Sequence, residues 1–304
     1  MTETDTPPAT DTRRGVVIPS YNSGPLLAET VRDVLSVWLP VIVVVDGSTD
    51  GSGAEVANLA ATTPGLHVLE SAKNQGKGCA IASGLRFAAD LGLTHVAVFD
   101  ADGQHHAPDL PKFMEASRRD PGAMILGRPV FGPDAPRVRI AGHALANFFS
   151  AVETCGGGIG DSLFGFRVYP VLPALEVFRQ TRGGRGFDAE TQLAVRLCWS
   201  GVRAANLPTP VRYRTAQAGG ISHFRYWRDN ILLVRAHAAL LAGAARRYPS
   251  LALRRLKSAI SRAGGRSGRG PGEAGRAGVG RLEEVVQENS EETRRADDQE
   301  HRAE

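Results

Sequence analysis

With 304 residues and a formal net charge of +4, the chain has room for one large α/β domain plus appendages, and its charge is too small for bulk nucleic-acid binding. The basic excess falls in the second half, which favours a phosphate or an acidic surface as partner. Cys79, Cys155 and Cys198 form no CxxC pair and have no histidine spacing for zinc, so they read as reduced core thiols of a cytoplasmic protein.

Residues 1–14 are rich in Thr, Asp and Pro and lack the apolar run of a secretory signal, which predicts a disordered leader. Residues 15–18, 41–45 and 96–99 are short apolar runs ended by Pro19, Asp46 and Asp100, the pattern of strands buried on both faces. Between them, 26–39, 52–61 and 77–91 carry helical period, and 66–69 reads as a further strand. This alternation predicts βαβ units: an α/β fold with a mostly parallel, Rossmann-like sheet flanked by helices. Further on, 108–119, 140–152, 188–199 and 226–245 read as helices, and 123–126, 164–168 and 202–207 as strands. Asp188 is the expected cap of the 188–199 helix and Gly201 its stop.

The expected organisation is a sheet domain over 15–225, a basic amphipathic helical extension over 226–262, and a disordered tail over 263–304, first rich in Gly, Arg and Ser, then acidic. No window reaches the ~20 apolar residues of a membrane span. Residues 231–245 come nearest but are too short and carry Arg235 and His237. Arg235, Arg246, Arg247, Arg254, Arg255 and Lys257 lie among Leu and Ala, a face suited to peripheral contact with the anionic inner surface of the cytoplasmic membrane, to a partner protein, or to a solvated helix.

Three loops that follow strands carry chemistry. In the run Phe99-Asp100-Ala101-Asp102-Gly103-Gln104, a buried strand delivers two carboxylates two residues apart, which on an extended chain point to one side. Like charges so placed repel unless a cation lies between them, and hard oxygen ligands suit Mg²⁺ or Mn²⁺ shared with a substrate's phosphates. The competing reading is a plain Asp-Gly turn. Asp46, also at a strand end, can accept hydrogen bonds from a base or ribose, or its segment can cap the following helix. Asn74-Gln75-Gly76-Lys77-Gly78 precedes a helix and offers a cation with flexible backbone, without being a Walker motif.

Together these runs resemble glycosyltransferase family 2. Pro19-Ser20-Tyr21-Asn22, then Val45-Asp46-Gly47-Ser48-Thr49-Asp50, then the run from Asn74 to Ala80, match the family's motifs in order. Residues 99–105 match its DxD region. Residues 161–167, Asp-Ser-Leu-Phe-Gly-Phe-Arg, look like the DxxxGFR segment of the branch containing dolichol-phosphate mannosyltransferase and other polyprenyl-phosphate enzymes. The resemblance implies a GT-A fold and inverting transfer from a UDP- or GDP-sugar to a lipid-linked, polyprenyl-phosphate or envelope-glycan acceptor. It implies that Pro19, Tyr21, Asn22, Asp46 and Lys77 line the donor site, with Arg128 near it. Asp100, Asp102 and Gln104 would hold the metal and diphosphate. Arg167 would face the acceptor, and Asp161 or Glu190 would be the base if one is used. The run 221–229 follows two glycines and either closes His223 and Arg225 over the diphosphate, lies on a membrane, or starts an ordinary helix.

Two positions depart from the family pattern: Ser23 and Val45 stand where carboxylates are common near the nucleoside, which bears on base specificity. The rival readings are a non-catalytic sugar-nucleotide-binding scaffold and a sugar nucleotidylyltransferase. The latter lacks its Gly-rich opening here.

Overall fold

Runs of Val and Ile, stiff at χ1 and suited to a pleated surface, form the centre of a seven-stranded sheet in this computed structural model. The structure describes residues 9–10, 13–132, 135–181, 186, 188–211 and 226–264. Strands β2 (Arg14–Ser20), β4 (Val41–Asp46) and β6 (His95–Val98) are buried along their whole length. Side chains alternate between two cores. Val17, Ile42 and Val44 face one, with Ile81 and Leu85 of α3 (Lys77–Asp90) and Leu193 and Leu197 of α7 (Ala189–Ser200). Val16, Ile18, Val41 and Val43 face the other, with Leu27 and Val31 of α1 (Pro25–Leu35) and Phe113 of α4 (Leu110–Arg119).

The strand order is β5-β4-β2-β6-β8-β7-β9, where β5 is Leu66–Ser71, β7 Ala123–Val130, β8 Arg167–Pro170 and β9 Arg203–Pro210. Every pairing is parallel except those of β8, which runs antiparallel to both β6 and β7. The chain leaves β2 toward β4 and β5, then crosses back to β6. Such a reversal opens a crevice at the carboxyl ends of the central strands.

Several elements differ from their sequence reading. Helix α1 stops at Leu35, and Trp38–Leu39 is a short strand, β3, because Leu39 precedes Pro40 and is pushed to extended backbone. It pairs with Ala9–Thr10, β1, which lies within the expected leader, and Arg14 from the same stretch is buried in β2. Helices α2 (Ser52–Thr62) and α5 (Arg137–Glu153) fall near their expected places. Val171–Gln180 is an unforeseen helix, α6; Pro170 sits at its N-cap, and Pro173 falls in the first turn, where no N–H is missed. Asp188 does not cap α7 with its side chain, which instead accepts from Gln192 Nε2 at 2.7 Å.

Helix α8 (Tyr226–Gly264) runs beyond the expected Ala245, through Pro249. Residues from Ala252 onward form a second unit, whose described part is the end of this helix. Among the described residues, no helix is long and apolar enough to cross a membrane. The run containing His223 and Arg225, and the expected tail from residue 265 onward, lie outside the described residues.

Candidate active site

The loops that leave β2 and β4 are stitched to each other. Asn22, in left-handed backbone at φ 46°, donates its N–H to Ser48 Oγ at 3.0 Å, and its Oδ1 accepts from Thr49 N at 2.7 Å. Asp50 accepts from Gly24 N and from Ser52 N and Oγ, so Asp50, rather than Asp46, completes the start of α2. Asp46 is buried, and its carboxylate accepts from the N–H groups of Gln75 (3.0 Å) and Gly76 (2.7 Å). It therefore fixes the loop that delivers Lys77. Gly47, at φ 69°, lets that loop pass: a Cβ there would overlap the backbone of Lys73 and Asn74. Pro19 lies in buried β2 and Tyr21 is partly exposed beside it.

Lys77 is the first residue of α3. Its Nζ lies 2.6 Å from Asp100 Oδ1 and 2.5 Å from Glu190 Oε2, at the start of α7. Burial alone would lower the Lys77 pKa, but the two carboxylates outweigh it and hold the ammonium charged. Burial would raise Asp100; Lys77 first, then His105, bring it below the ordinary carboxylate range. Glu190 stays raised, chiefly by burial, with Lys77 opposing and Asp100 adding to it. Its Oε1 is buried with no hydrogen-bond partner among the described residues.

Asp102 Oδ1 accepts from Gln104 N at 3.0 Å, the geometry of an Asp turn. Its carboxyl is nevertheless pushed up to about 6, by burial first and by Asp100 second. Gln104 Oε1 accepts from Arg139 Nη2 of α5 at 3.2 Å. His105 closes the 99–105 run, and the sequence alone assigns it no role. Its Nδ1 accepts from Asp100 N at 3.1 Å, and its ring lies among Phe99, Phe164 and Phe166. Burial lowers it to about 4, so it is neutral and, with Nδ1 accepting, carries its proton on Nε2, 3.7 Å from Asp100 Oδ2.

Asp161 and Arg167 organise the loop facing this cluster. Asp161 is buried; it pairs with His143 Nδ1 at 2.7 Å and accepts from Asn147 Nδ2 and from the N–H groups of Leu163 and Phe164. Burial raises its pKa, and these donors, His143 foremost, bring it below the ordinary value. Arg167 is fully buried and donates to the carbonyls of Phe164, Glu190 and Asp161 and to Tyr169 Oη. It thereby ties loop 161–164 to the first turn of α7 and sets Glu190 beside Lys77. Arg128, near the carboxyl end of β7, is exposed and opposite Pro208 of β9.

Gly165 closes the pocket behind Asp100: a Cβ there would lie 2.5 Å from Asp100 Oδ2. Gly165→Ala should therefore displace that carboxylate. The expected loss of turnover is on the order of 100-fold, with a melting point within a few degrees of wild type, checked by sugar-nucleotide turnover and thermal melts.

Among the described residues, no group of three or more His, Cys, Asp and Glu side chains is arranged for a metal ion. The two-carboxylate set fits a hard divalent cation that draws its other ligands from a diphosphate. The observation for that fit is Asp102, whose raised pKa a nearby cation would reverse. Lys77 already occupies Asp100 Oδ1 and Arg139 already engages Gln104, so Asp102 and Asp100 Oδ2 are the oxygens left for an ion.

The model of the family described as Glycosyl transferase family 2 matches residues 15–171, just over half of the chain. The chain belongs to glycosyltransferase family 2. The family's reaction class, glycosyl transfer, is thereby this chain's. An undecaprenyl-phosphate mannosyltransferase of Micrococcus luteus is 28% identical over 204 residues, covering 63% of this chain and 80% of the relative. A polyprenol monophosphomannose synthase of Mycolicibacterium smegmatis is 28% identical over 200 residues, covering 64% and 75%. Among solved structures, glucosyl-3-phosphoglycerate synthase from Mycobacterium tuberculosis, in complex with Mn²⁺, UDP-glucose and phosphoglyceric acid, superposes with a TM-score of 0.52 at 20% identity, covering 76% of this chain and 79% of that one. This likeness shows the fold, which is of the GT-A type expected for the family.

Proposed function

We propose that this family 2 glycosyltransferase is a metal-dependent, inverting enzyme that moves a sugar from a UDP- or GDP-sugar to a polyprenyl-phosphate or other lipid-linked acceptor. The observation that carries the reading is the pair Asp100 and Asp102 just beyond the carboxyl end of β6, with Asp100 ion-paired to Lys77, which also holds Glu190. The acceptor class is supported by the relatives, which are named for undecaprenyl phosphate and polyprenol monophosphomannose. The Mn²⁺ and UDP-glucose of the structural neighbour are in keeping with the donor class.

In this reading Pro19, Tyr21, Asn22 and Asp46 form the nucleoside end, and Asp102 with Asp100 holds the cation at the diphosphate. When bound, the cation offsets the charge that develops on the leaving diphosphate. Lys77 supports the same charge from the side of α3, fixed in place by Glu190 and the loop that Asp46 anchors. Arg128, near the end of β7, serves the donor's outer side.

A phosphate acceptor arrives as an anion and needs no base. For a hydroxyl acceptor, Glu190 is the better base, because its Oε1 is uncommitted while Asp161 is engaged by four donors. Asp161 and Arg167 then act by shaping the acceptor loop.

The test is a panel of UDP-, GDP- and dTDP-sugars with Mn²⁺ or Mg²⁺ and a short-chain prenyl phosphate, read as nucleoside diphosphate release. Release with one donor, dependent on both metal and prenyl phosphate, is expected. Binding of donors without release under any combination would favour the non-catalytic scaffold.

A further inference from the structure

Helix α5 has two unlike faces. Its inner face grips the acceptor-side loop: His143 pairs with Asp161, and Asn147 Oδ1 accepts from Ser162 N and Oγ. Its outer face is apolar and bare. Val138, Leu145, Phe148 and Val152, spaced to form one stripe with Ala141, are 72%, 60%, 62% and 44% exposed. The helix has one acidic residue, Glu153, and that is buried.

Helix α8 lies against the same flank. Its His237 Nδ1 pairs with Glu153 Oε1 at 2.7 Å and its ring packs on Phe149. One turn before His237, Val234 is 68% exposed, and Ile231 is 56% exposed. Arg235, next to Val234, is exposed, as are Arg246 three turns further along α8 and Arg137 at the start of α5. The one acidic residue of residues 226–264, Asp229, is buried. Large apolar side chains exposed together along one helix face mark an interaction site. A surface edged by arginines and free of exposed carboxylates complements an anionic bilayer, into which amphipathic helices settle at headgroup depth.

We infer that the outer faces of α5 and α8 dock the enzyme on an anionic membrane, so that α5 lies between the bilayer and loop 161–164 and keeps that loop within one helix width of the lipid surface. The inference rests on the proposed acceptor, since a lipid-borne phosphate is presented at that surface. It adds the route of approach: the helix that touches the bilayer is the one that fixes Asp161 and Ser162.

The test is flotation of the full chain with vesicles of phosphatidylcholine alone or mixed with phosphatidylglycerol. Wild type should float with the mixed vesicles and far less with phosphatidylcholine. Leu145→Glu/Phe148→Glu should cut the bound fraction about tenfold or more, and Arg235→Glu/Arg246→Glu should remove the preference for phosphatidylglycerol. All three proteins should melt alike and turn over a water-soluble short-chain prenyl phosphate alike. Wild type that ignores both vesicles, or a double variant that floats unchanged, overturns the inference. So does a wild-type dimer by light scattering that becomes a monomer in Leu145→Glu/Phe148→Glu without any vesicle binding, which would assign the face to a second copy. Vesicle binding without turnover of any prenyl phosphate would sink the acceptor reading and leave the docking face standing.

Discussion

Asp102→Asn should lower sugar transfer by about 10²–10³-fold and weaken Mn²⁺ binding, while leaving the melting point nearly unchanged. Asparagine is the informative replacement. Its amide oxygen can still accept from Gln104 N as Asp102 Oδ1 does, so the turn survives. What is lost is the second negative charge beside Asp100, whose repulsion contributes to lifting Asp102 to about 6. If the pair is only turn chemistry, the variant should be as active as wild type. Initial rates at saturating donor, together with Mn²⁺ titration by electron paramagnetic resonance, separate the two outcomes.

Lys77→Met should be the most destabilising single change at the site, costing about 3–5 kcal/mol. Methionine fills the space of the lysine stem but leaves Asp100 and Glu190 buried without their shared cation. The pH dependence identifies the cause. Glu190 already has a folded-state pKa raised by burial and restrained by Lys77. Without Lys77 both carboxyls rise. A carboxyl raised on folding destabilises once the pH exceeds its unfolded value near 4, and the loss is relieved as pH falls back. The deficit against wild type should therefore be large at pH 8 and shrink toward pH 5. In wild type the lowered Asp100 has the opposite sign: it contributes stability above its unfolded value that is lost in acid. Adding Glu190→Gln to Lys77→Met should recover part of the loss at pH 8. Urea unfolding across that range is the measurement; a deficit independent of pH would mean that packing, not charge, is what Lys77 supplies.

The sheet was legible because its central strands are rich in Val and Ile, with Asp46 closing β4 and Asp100 following β6, and because buried parallel strands admit little else. Strand direction was not. The run 164–168 reads as a strand, but no periodicity says that β8 inserts antiparallel between β6 and β7. Helix α6 was hidden by Pro170 and Pro173, which punctuate a sequence even where a first helical turn tolerates them.

At the site, each motif was legible separately, and the contacts among them were not. Lys77, Asp100 and Glu190 come from three distant elements, and their meeting depends on how α3 and α7 pack on β6. Asp46 looked like a ligand contact or cap, yet its first use is to hold the Gln75–Gly76 backbone. His143 and Arg139 carry no motif; only the packing of α5 brings them to Asp161 and Gln104.

The measurement that bears most directly on the central claim is transfer of a radiolabelled sugar from its nucleotide to a polyprenyl phosphate, recovered in the organic phase, with Mn²⁺ or with chelator. Metal-dependent label in the organic phase, lost in Asp102→Asn, is the expected result. Label that stays in the aqueous phase with every donor, or that moves equally well in chelator and in Asp102→Asn, would contradict the account.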